Sequence, residues 1–321
     1  MSIRTSGLHH VTAIGGDPQR NADFYLRTLG LRLVKTTVNF DDPGTYHLYY
    51  GDRSGKPGTL LTFFPWKDAP SGRHGTGQAT TTSFSVPEDS IGWWKQHLEG
   101  AGVETSRVTN RDDEDVLSFR DPDGLQLSLV AHPQGDPRQP WDNGHVPAEH
   151  AVRGLHSVTL SVDREEATAG MLTEGLGLEF ADQDRNRFRF SAGEGGPGAL
   201  VDVLVTPDAP SGLVAAGTVH HVAWRAPDEP TQAAWREELV DRGVKVTSIL
   251  DRQYFRSIYF REPGGTLLEV ATDEPGFGID EPLLELGRAL KLPPWLEPDR
   301  EQIQAMLPKL ELPDENDLER A

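Results

Sequence analysis

Four stretches of the chain repeat one plan, and that repeat constrains the fold more than any other feature. Each opens with a strand-like run, continues into a helical run, and closes with alternating strands around a Pro/Gly turn. The helical runs cover 18–31, 89–103, 164–178 and 229–244, with apolar residues at helical spacing. They stop at Gly30, Gly102, Gly177 and Gly243, where glycine supplies the left-handed residue of a helix C-cap. After each comes an alternating run, YHLYYG, VLSFR, RFRFS or SIYFR. A turn and a last strand complete the unit: PGTLLTFF, PDGLQLSLV, PGALVDVLV and PGGTLLEVA. The units recur about every 60–75 residues, longer than a solenoid repeat and large enough for half a domain.

The expected fold is therefore α+β, four βαβββ modules paired into two domains. A Pro/Gly-rich polar stretch at 136–153 marks the linker. The N-terminal domain, 1–135, holds modules one and two, and the C-terminal domain, 154–275, holds modules three and four. Residues 276–321 form a tail with short helices expected at 281–291 and 299–309, packed over the body or a partner subunit and carrying no chemical motif.

Repeats become informative where they differ. The opening strands read GLHHVTAI, QATTTSFSV, GLHSVTLS and TVHHVAWR. One column holds His10 in module one, His221 in module four, Ser157 in module three, and a Ser or Thr in module two. Aligned on their turns, the closing strands hold Thr62, Ser128, Asp202 and Glu269 in one column. Modules one and four together offer two histidines and a glutamate, with Thr62 at the fourth corner; modules two and three offer Asp202 and hydroxyls.

Two neutral imidazoles and a carboxylate that leave positions open form the facial set of non-haem iron(II) oxygenases. A lone strand histidine is more often a hydrogen-bonded core or surface residue, and a lone glutamate is often paired with arginine. Glu269, however, stands in the otherwise apolar TLLEVA, where an uncompensated carboxylate costs several kcal/mol. Matched columns make a metal the economical reading of His10, His221 and Glu269.

Other residues divide by context. His9, His156 and His220 sit one position away, which in a regular strand is the opposite face. His47 lies in a strand, His97 on a helix with a surface role expected, and His74, His132, His145 and His150 in loops. Arg252, Tyr254, Arg256 and Tyr259 cluster in DRQYFRSIYFR, either facing the metal or alternating toward solvent. Phe63, Phe64, Trp66 and Trp224 are candidates to line an aromatic pocket or to fill the core.

Composition narrows the partners. The chain has no cysteine, so metal ligands must come from His, Asp, Glu and water, which favours iron(II), manganese or zinc. A net charge of -19 argues against nucleic acid. No apolar run approaches a membrane span, so no membrane partner is expected. The start, MSIRTSGLHH, lacks the regions of a secretion signal, and the expected location is cytoplasmic.

From 7 to 272 the sequence resembles the glyoxalase/bleomycin-resistance/extradiol-dioxygenase superfamily, also called vicinal oxygen chelate (VOC). Within it, the chain is most similar to ring-cleaving dioxygenases of hydroquinones. The resemblance rests on GLHHVT, on YHLYYGD followed by PGTLLTFFP, on RQPWD and EHAVRGLHSVT, and on TVHHVAWR and PGGTLLEVAT. It implies two VOC domains and an iron(II) site, with manganese(II) as the variant, on His10, His221 and Glu269. It also implies catalytic roles for His9, Thr12, His220, Arg252 and Tyr259, with His220 or Tyr259 moving protons and Arg252 orienting the oxygen species. The implied activity is extradiol-type cleavage of a hydroquinone- or catechol-like diol by dioxygen, with a homo-oligomer left open. The alternatives are a glyoxalase-like isomerase or lyase, which usually adds a carboxylate at the corner Thr62 fills, and a metal-free binding protein.

Overall fold

Each repeat folds as the period of its apolar residues requires. Module one is β1 (Leu8–Gly15), α1 (Pro18–Asp23), β2 (Arg32–Asn39), β3 (Asp42–Gly51) and β4 (Leu60–Pro65). Module two is β5 (Gln78–Val86), α2 (Ile91–Gly100), β6 (Thr109–Arg111), β7 (Glu114–Arg120) and β8 (Gln126–Ala131). Module three is β9 (Gly154–Val162), α3 (Glu166–Gly170), β10 (Glu179–Asp184), β11 (Arg187–Ser191) and β12 (Leu200–Val205). Module four is β13 (Thr218–Ala226), α4 (Glu229–Asp241), β14 (Leu250–Asp251), β15 (Phe255–Arg261) and β16 (Leu267–Pro275). This computed structural model describes residues 3–133, 135–142 and 145–312; the chain start and the tail beyond 312 lie outside the described residues.

The helices are shorter than the sequence expectation. α1 and α3 each pass into a wider π turn, Phe24–Thr28 and Met171–Gly175, before their capping glycines. Gly30, Gly102, Gly177 and Gly243 all have φ between 65° and 83°, the left-handed conformation their positions predicted.

Eight strands form each sheet, in the orders β14-β15-β16-β13-β1-β4-β3-β2 and β10-β11-β12-β9-β5-β8-β7-β6. The central pairs, β1 with β13 and β5 with β9, are antiparallel. Modules one and four thus share one sheet and modules two and three the other. Each sheet needs strands from both sides of the 136–153 stretch.

Strand alternation sorts side chains between a helix-covered face and a concave face. In β4, Leu61 and Phe63 join the main core, while Thr62 and Phe64 face the concavity. In β16, Leu268 and Val270 are core, and Glu269 lies opposite them on the strand's other face. Fully buried tryptophans pin two helices: the Trp94 indole N–H donates to the His150 carbonyl at 2.8 Å and that of Trp235 to the Gly175 carbonyl at 2.6 Å.

The tail departs from expectation in its first half. Instead of a helix over 281–291 there is one 3-10 turn, Leu283–Glu285, followed by turns and bends that lead to a bridge residue, Leu290. Leu290 bridges Thr36 of β2, the Lys291 N–H donates to the Thr36 carbonyl at 2.9 Å, and Thr37 Oγ1 donates to the Lys291 carbonyl at 2.6 Å. As an outer strand, β2 has backbone groups to satisfy, and the tail satisfies them in a way a helix could not. Gly287 makes the approach feasible, since a Cβ there would lie 2.1 Å from the Leu33 carbonyl oxygen. Nearby, the fully buried Lys35 ammonium pairs with Glu281 and, at 2.6 Å, with Asp280, so the tail is tied down by charge as well. The second expected helix forms as α5 (Arg300–Met306). No helix among the described residues is long and apolar enough to cross a membrane.

Candidate metal centre

Strand register brings the two halves of the candidate site together. Glu269 pairs with Ala223, two residues beyond His221, and Thr62 pairs with Thr12, two residues beyond His10. The columns read from sequence are therefore true spatial equivalents. His10 Nε2 lies 3.3 Å from His221 Nε2 and 3.3 Å from Glu269 Oε2, and His221 Nε2 lies 2.9 Å from that same oxygen. Ligands about 2.1 Å from a six-coordinate ion and at right angles to each other are about 3.0 Å apart, so this triangle suits one shared cation.

Burial sharpens the point. All three side chains are buried, with Glu269 at 0% exposure, and Glu269 Oε2 has no hydrogen-bond partner. Its other oxygen accepts from Ser257 Oγ. Burial alone would raise the Glu269 carboxyl, but the His10 and His221 imidazoles outweigh it and hold the group well below the usual carboxylate range. Burial also lowers His221, which keeps that imidazole neutral and free to offer a lone pair. An ionised carboxylate with one oxygen unbonded, facing two imidazole nitrogens, is a fitting receptor for a divalent ion. Among the described residues no other group of His, Asp and Glu converges in this way.

His9 and His220 correct the expectation of a regular strand. Between Leu8 and His10 the β1 register slips by one residue against β13, leaving His9 as the extra one; between Thr12 and Ala13 the slip leaves His220 extra on β13. Bulges of this kind re-aim a side chain. His9 Nδ1 lies 2.8 Å from His10 Nδ1, and His9 Nε2 lies 3.1 Å from the Thr272 carbonyl oxygen. A carbonyl only accepts, so His9 carries its proton on Nε2 and accepts at Nδ1 from His10. That leaves His10 Nε2 with a lone pair directed at the shared point. His220 Nδ1 lies 2.7 Å from His221 Nδ1, the corresponding contact in module four. Burial and the His221 ring push His220 down to about 3, so it is neutral.

A cavity of about 300 Å3 opens onto the centre, at the small end of ligand pockets. Phe40, Phe64, Trp66 and Phe255 give it aromatic walls, and His220, Arg252 and Tyr259 give it polar groups. The Tyr259 ring meets His221 edge-on at 5.6 Å, and the Arg252 guanidinium lies 5.5 Å from the centre of the Tyr259 ring. Burial, reinforced by the Glu269 charge, pushes the Tyr259 phenol far up, so it keeps its proton. Arg252 is also held by Asp41 at 2.9 Å.

Four of the residues singled out in sequence lie away from the pocket wall. Phe63 and Trp224 are core on the helix-covered face, as strand alternation demands, so only Phe64 and Trp66 of that quartet line the pocket. Thr12 points its hydroxyl at Thr62 Oγ1, 2.8 Å away, and is absent from the pocket wall. His97 is half-buried rather than a free surface group, with Nε2 2.9 Å from the Thr28 carbonyl oxygen. Sequence reasoning also passed over His47, which lines the pocket and bonds Thr62. Its signal was available: it stands two residues before Tyr49, as Ser257 stands two before Tyr259, and the register makes those columns equivalent.

Modules two and three show what becomes of the same frame without histidines. Asp202 occupies the Glu269 column, and Arg189 occupies that of Tyr259. The Arg189 guanidinium bonds Asp202 at 2.8 and 3.2 Å and Glu114 at 3.1 Å, while His156 bonds Glu114 at 2.8 Å. In this sheet a protein cation, Arg189, neutralises the buried carboxylates. A larger groove of about 720 Å3, lined by Val103, Ser118, Arg120 and Gln126 among others, includes no member of the His10, His221 and Glu269 set.

The fold and the ligand triangle can now be set beside known proteins. A family profile, "Glyoxalase/Bleomycin resistance protein/Dioxygenase superfamily", matches residues 7–129 and 154–270. The chain belongs to this superfamily. It is 45% identical over 310 residues to a Bacillus subtilis (strain 168) protein named "Putative ring-cleaving dioxygenase MhqO", covering 96% of this chain and 98% of that one. It is 37% identical over 308 residues to the chlorohydroquinone/hydroquinone 1,2-dioxygenase of Sphingobium indicum, covering 94% and 95%. A crystal structure described as a "putative dioxygenase from Bacillus subtilis subsp. subtilis str. 168" superposes with a TM-score of 0.92 at 43% identity, over 97% of this chain and 99% of that one. Glyoxalase I from Zea mays shares the fold, with a TM-score of 0.60 at 14% identity over 83% of this chain and 92% of that one. As a member of the superfamily with ring-cleaving dioxygenases as full-length relatives, the chain is supported as an oxygenase acting on an aromatic compound.

Ser257 is the neighbour that fixes the carboxylate. Ser257→Ala removes the hydrogen bond that Glu269 Oε1 accepts from Ser257 Oγ and leaves the backbone pairing of β15 and β16 in place. The expected result is metal affinity lower by about 10-fold, read by titration, with the circular dichroism spectrum unchanged.

Proposed function

We propose that this protein is an iron(II)-dependent, extradiol-type ring-cleaving dioxygenase of a hydroquinone- or catechol-like aromatic. One observation carries the reading: three buried ligand atoms converge, including an unbonded carboxylate oxygen, their His10 and His221 members line a small aromatic pocket, and the fourth corner is a threonine. His10, His221 and Glu269 would hold the ion, and manganese(II) suits the same donors. When bound, such an ion supplies a redox-active centre with positions open to both diol and dioxygen.

The chain's own groups supply the rest. Phe40, Phe64, Trp66 and Phe255 sandwich a flat ring and exclude water. Arg252 presents a fixed positive charge to oxygen atoms that gain negative charge. His220, neutral, accepts from His221 at Nδ1 and so can donate a hydrogen bond from Nε2 to a substrate oxygen, and Tyr259 can donate a proton. His9 and Thr272 keep His10 in the tautomer that binds metal.

An oxygen electrode tests the reading. After anaerobic loading with iron(II), hydroquinone or catechol should drive oxygen uptake stoichiometric with substrate consumed. Turnover of a diol or of a thiol adduct that persists without oxygen would instead mark a glyoxalase-like isomerase.

A further inference from the structure

The internal symmetry of the first sheet is broken at one corner, and the break is compensated. In module four the closing strand carries a long acidic residue, Glu269, and the column beside it a small one, Ser257, which bonds it. In module one the sizes are exchanged: the closing strand carries the short Thr62, and the matched column the large His47. His47 Nε2 lies 2.9 Å from Thr62 Oγ1, and His47 Nδ1 lies 2.9 Å from the Tyr49 hydroxyl oxygen. Its ring packs against Phe64 and Tyr49 with centroids 4.3 and 4.0 Å away, on the wall of the pocket that His10 and His221 share.

Both ring nitrogens of His47 are thus engaged, and the ring is wedged between two aromatic neighbours. Burial lowers it, so it adds no positive charge beside the ligands. Thr62 is bonded on two sides, by His47 and by Thr12. A longer side chain at position 62 would have to extend past an imidazole whose Nε2 already lies 2.9 Å from Thr62 Oγ1.

We propose that His47 is the positioning residue that holds the fourth corner of the centre free of a protein ligand. It locks Thr62 in place, bars a carboxylate from that side, and so decides that the centre has three protein ligands rather than four. The inference rests on reading His10, His221 and Glu269 as a metal site. It gives His47 no contact with the reacting atoms.

Manganese(II) binding, followed by the electron paramagnetic resonance of the free ion, tests it in four full-length chains: wild type, T62E, H47S/T62E and E269Q. The double variant copies module four's serine–glutamate pair into module one. It should bind manganese(II) at least about 10-fold more tightly than wild type and lose hydroquinone-driven oxygen uptake when loaded with iron(II). T62E alone, blocked by His47, should gain no more than about threefold. Equal gains in T62E and the double variant, or a double variant no tighter than wild type, overturn the proposal. If E269Q binds manganese(II) as wild type does, the metal site itself has been misread, a distinct outcome.

Should the double variant not fold, H47A with added acetate replaces it. Acetate should fill the vacated corner and tighten manganese(II) binding in H47A but not in wild type. No acetate effect in H47A overturns the proposal.

Discussion

Glu269→Gln will leave a folded chain that no longer retains metal. The amide is isosteric, so β16 keeps its pairing with β13 and β15 and its place in the core. What disappears is the negative charge that gathers His10 Nε2 and His221 Nε2 at 3.3 and 2.9 Å around one oxygen. Loss of an anionic ligand outweighs loss of a neighbour that merely orients one, so the affinity for iron(II) should fall by more than about 100-fold. Metal analysis after dialysis should read about one ion per wild-type chain and almost none in the variant. Thermal melts offer an independent check. Iron(II) at about 100 times its dissociation constant should stabilise the wild type by about 2.7 kcal/mol, and the variant hardly at all. Oxygen uptake with hydroquinone should disappear with the metal; normal uptake by Glu269→Gln would sink the ligand assignment.

The second large effect lies 80 residues away in sequence and in the other sheet. Arg189→Met removes the guanidinium that neutralises Asp202 and Glu114, whose side chains are only 1% and 4% exposed. Arg187 still reaches Asp202 at 2.9 Å, but Glu114 keeps only its histidine partners. Breaking a buried ion pair by deleting one member leaves an uncompensated charge, and the expected destabilisation is about 3 kcal/mol. Urea unfolding should show it as a lower midpoint with an unchanged slope. Replacing Asp202 by Asn in the same chain should recover part of the loss, because the two side chains act as one unit. A loss below about 0.5 kcal/mol would mean that water, not Arg189, solvates that centre.

These two expectations are the same physics applied to one frame twice. A ring of inward-facing columns gathers carboxylates where water is excluded, and each sheet must supply a cation. The first sheet gathers two imidazoles around its carboxylate; the second neutralises its own with Arg189. Asp202 was visible in sequence as the leftover of a lost site, and the register supplied its partner.

Much was legible in the sequence because it depends on local spacing. The module plan follows from helical and alternating periods, and the capping glycines from the need for left-handed backbone. His10, His221 and Glu269 followed from repeat columns, since two-residue alternation fixes which face a strand residue takes. Other features depend on atoms far apart in the chain. That modules one and four share a sheet throughout is a matter of β1–β13 pairing across 200 residues. The bulges that turn His9 and His220 toward their neighbours arise from mismatch between two strands, which neither strand encodes alone. The tail segment after Asp280 is not the expected helix, because its Leu290 and Lys291 pair with backbone groups of β2 far away in the chain. His47 stood in plain sight, but only the register shows that it occupies in module one the column that Ser257 occupies in module four. The sequence singled out His10, His221 and Glu269, because two-residue alternation is local; tertiary pairing decided that their ligand atoms meet within one small triangle.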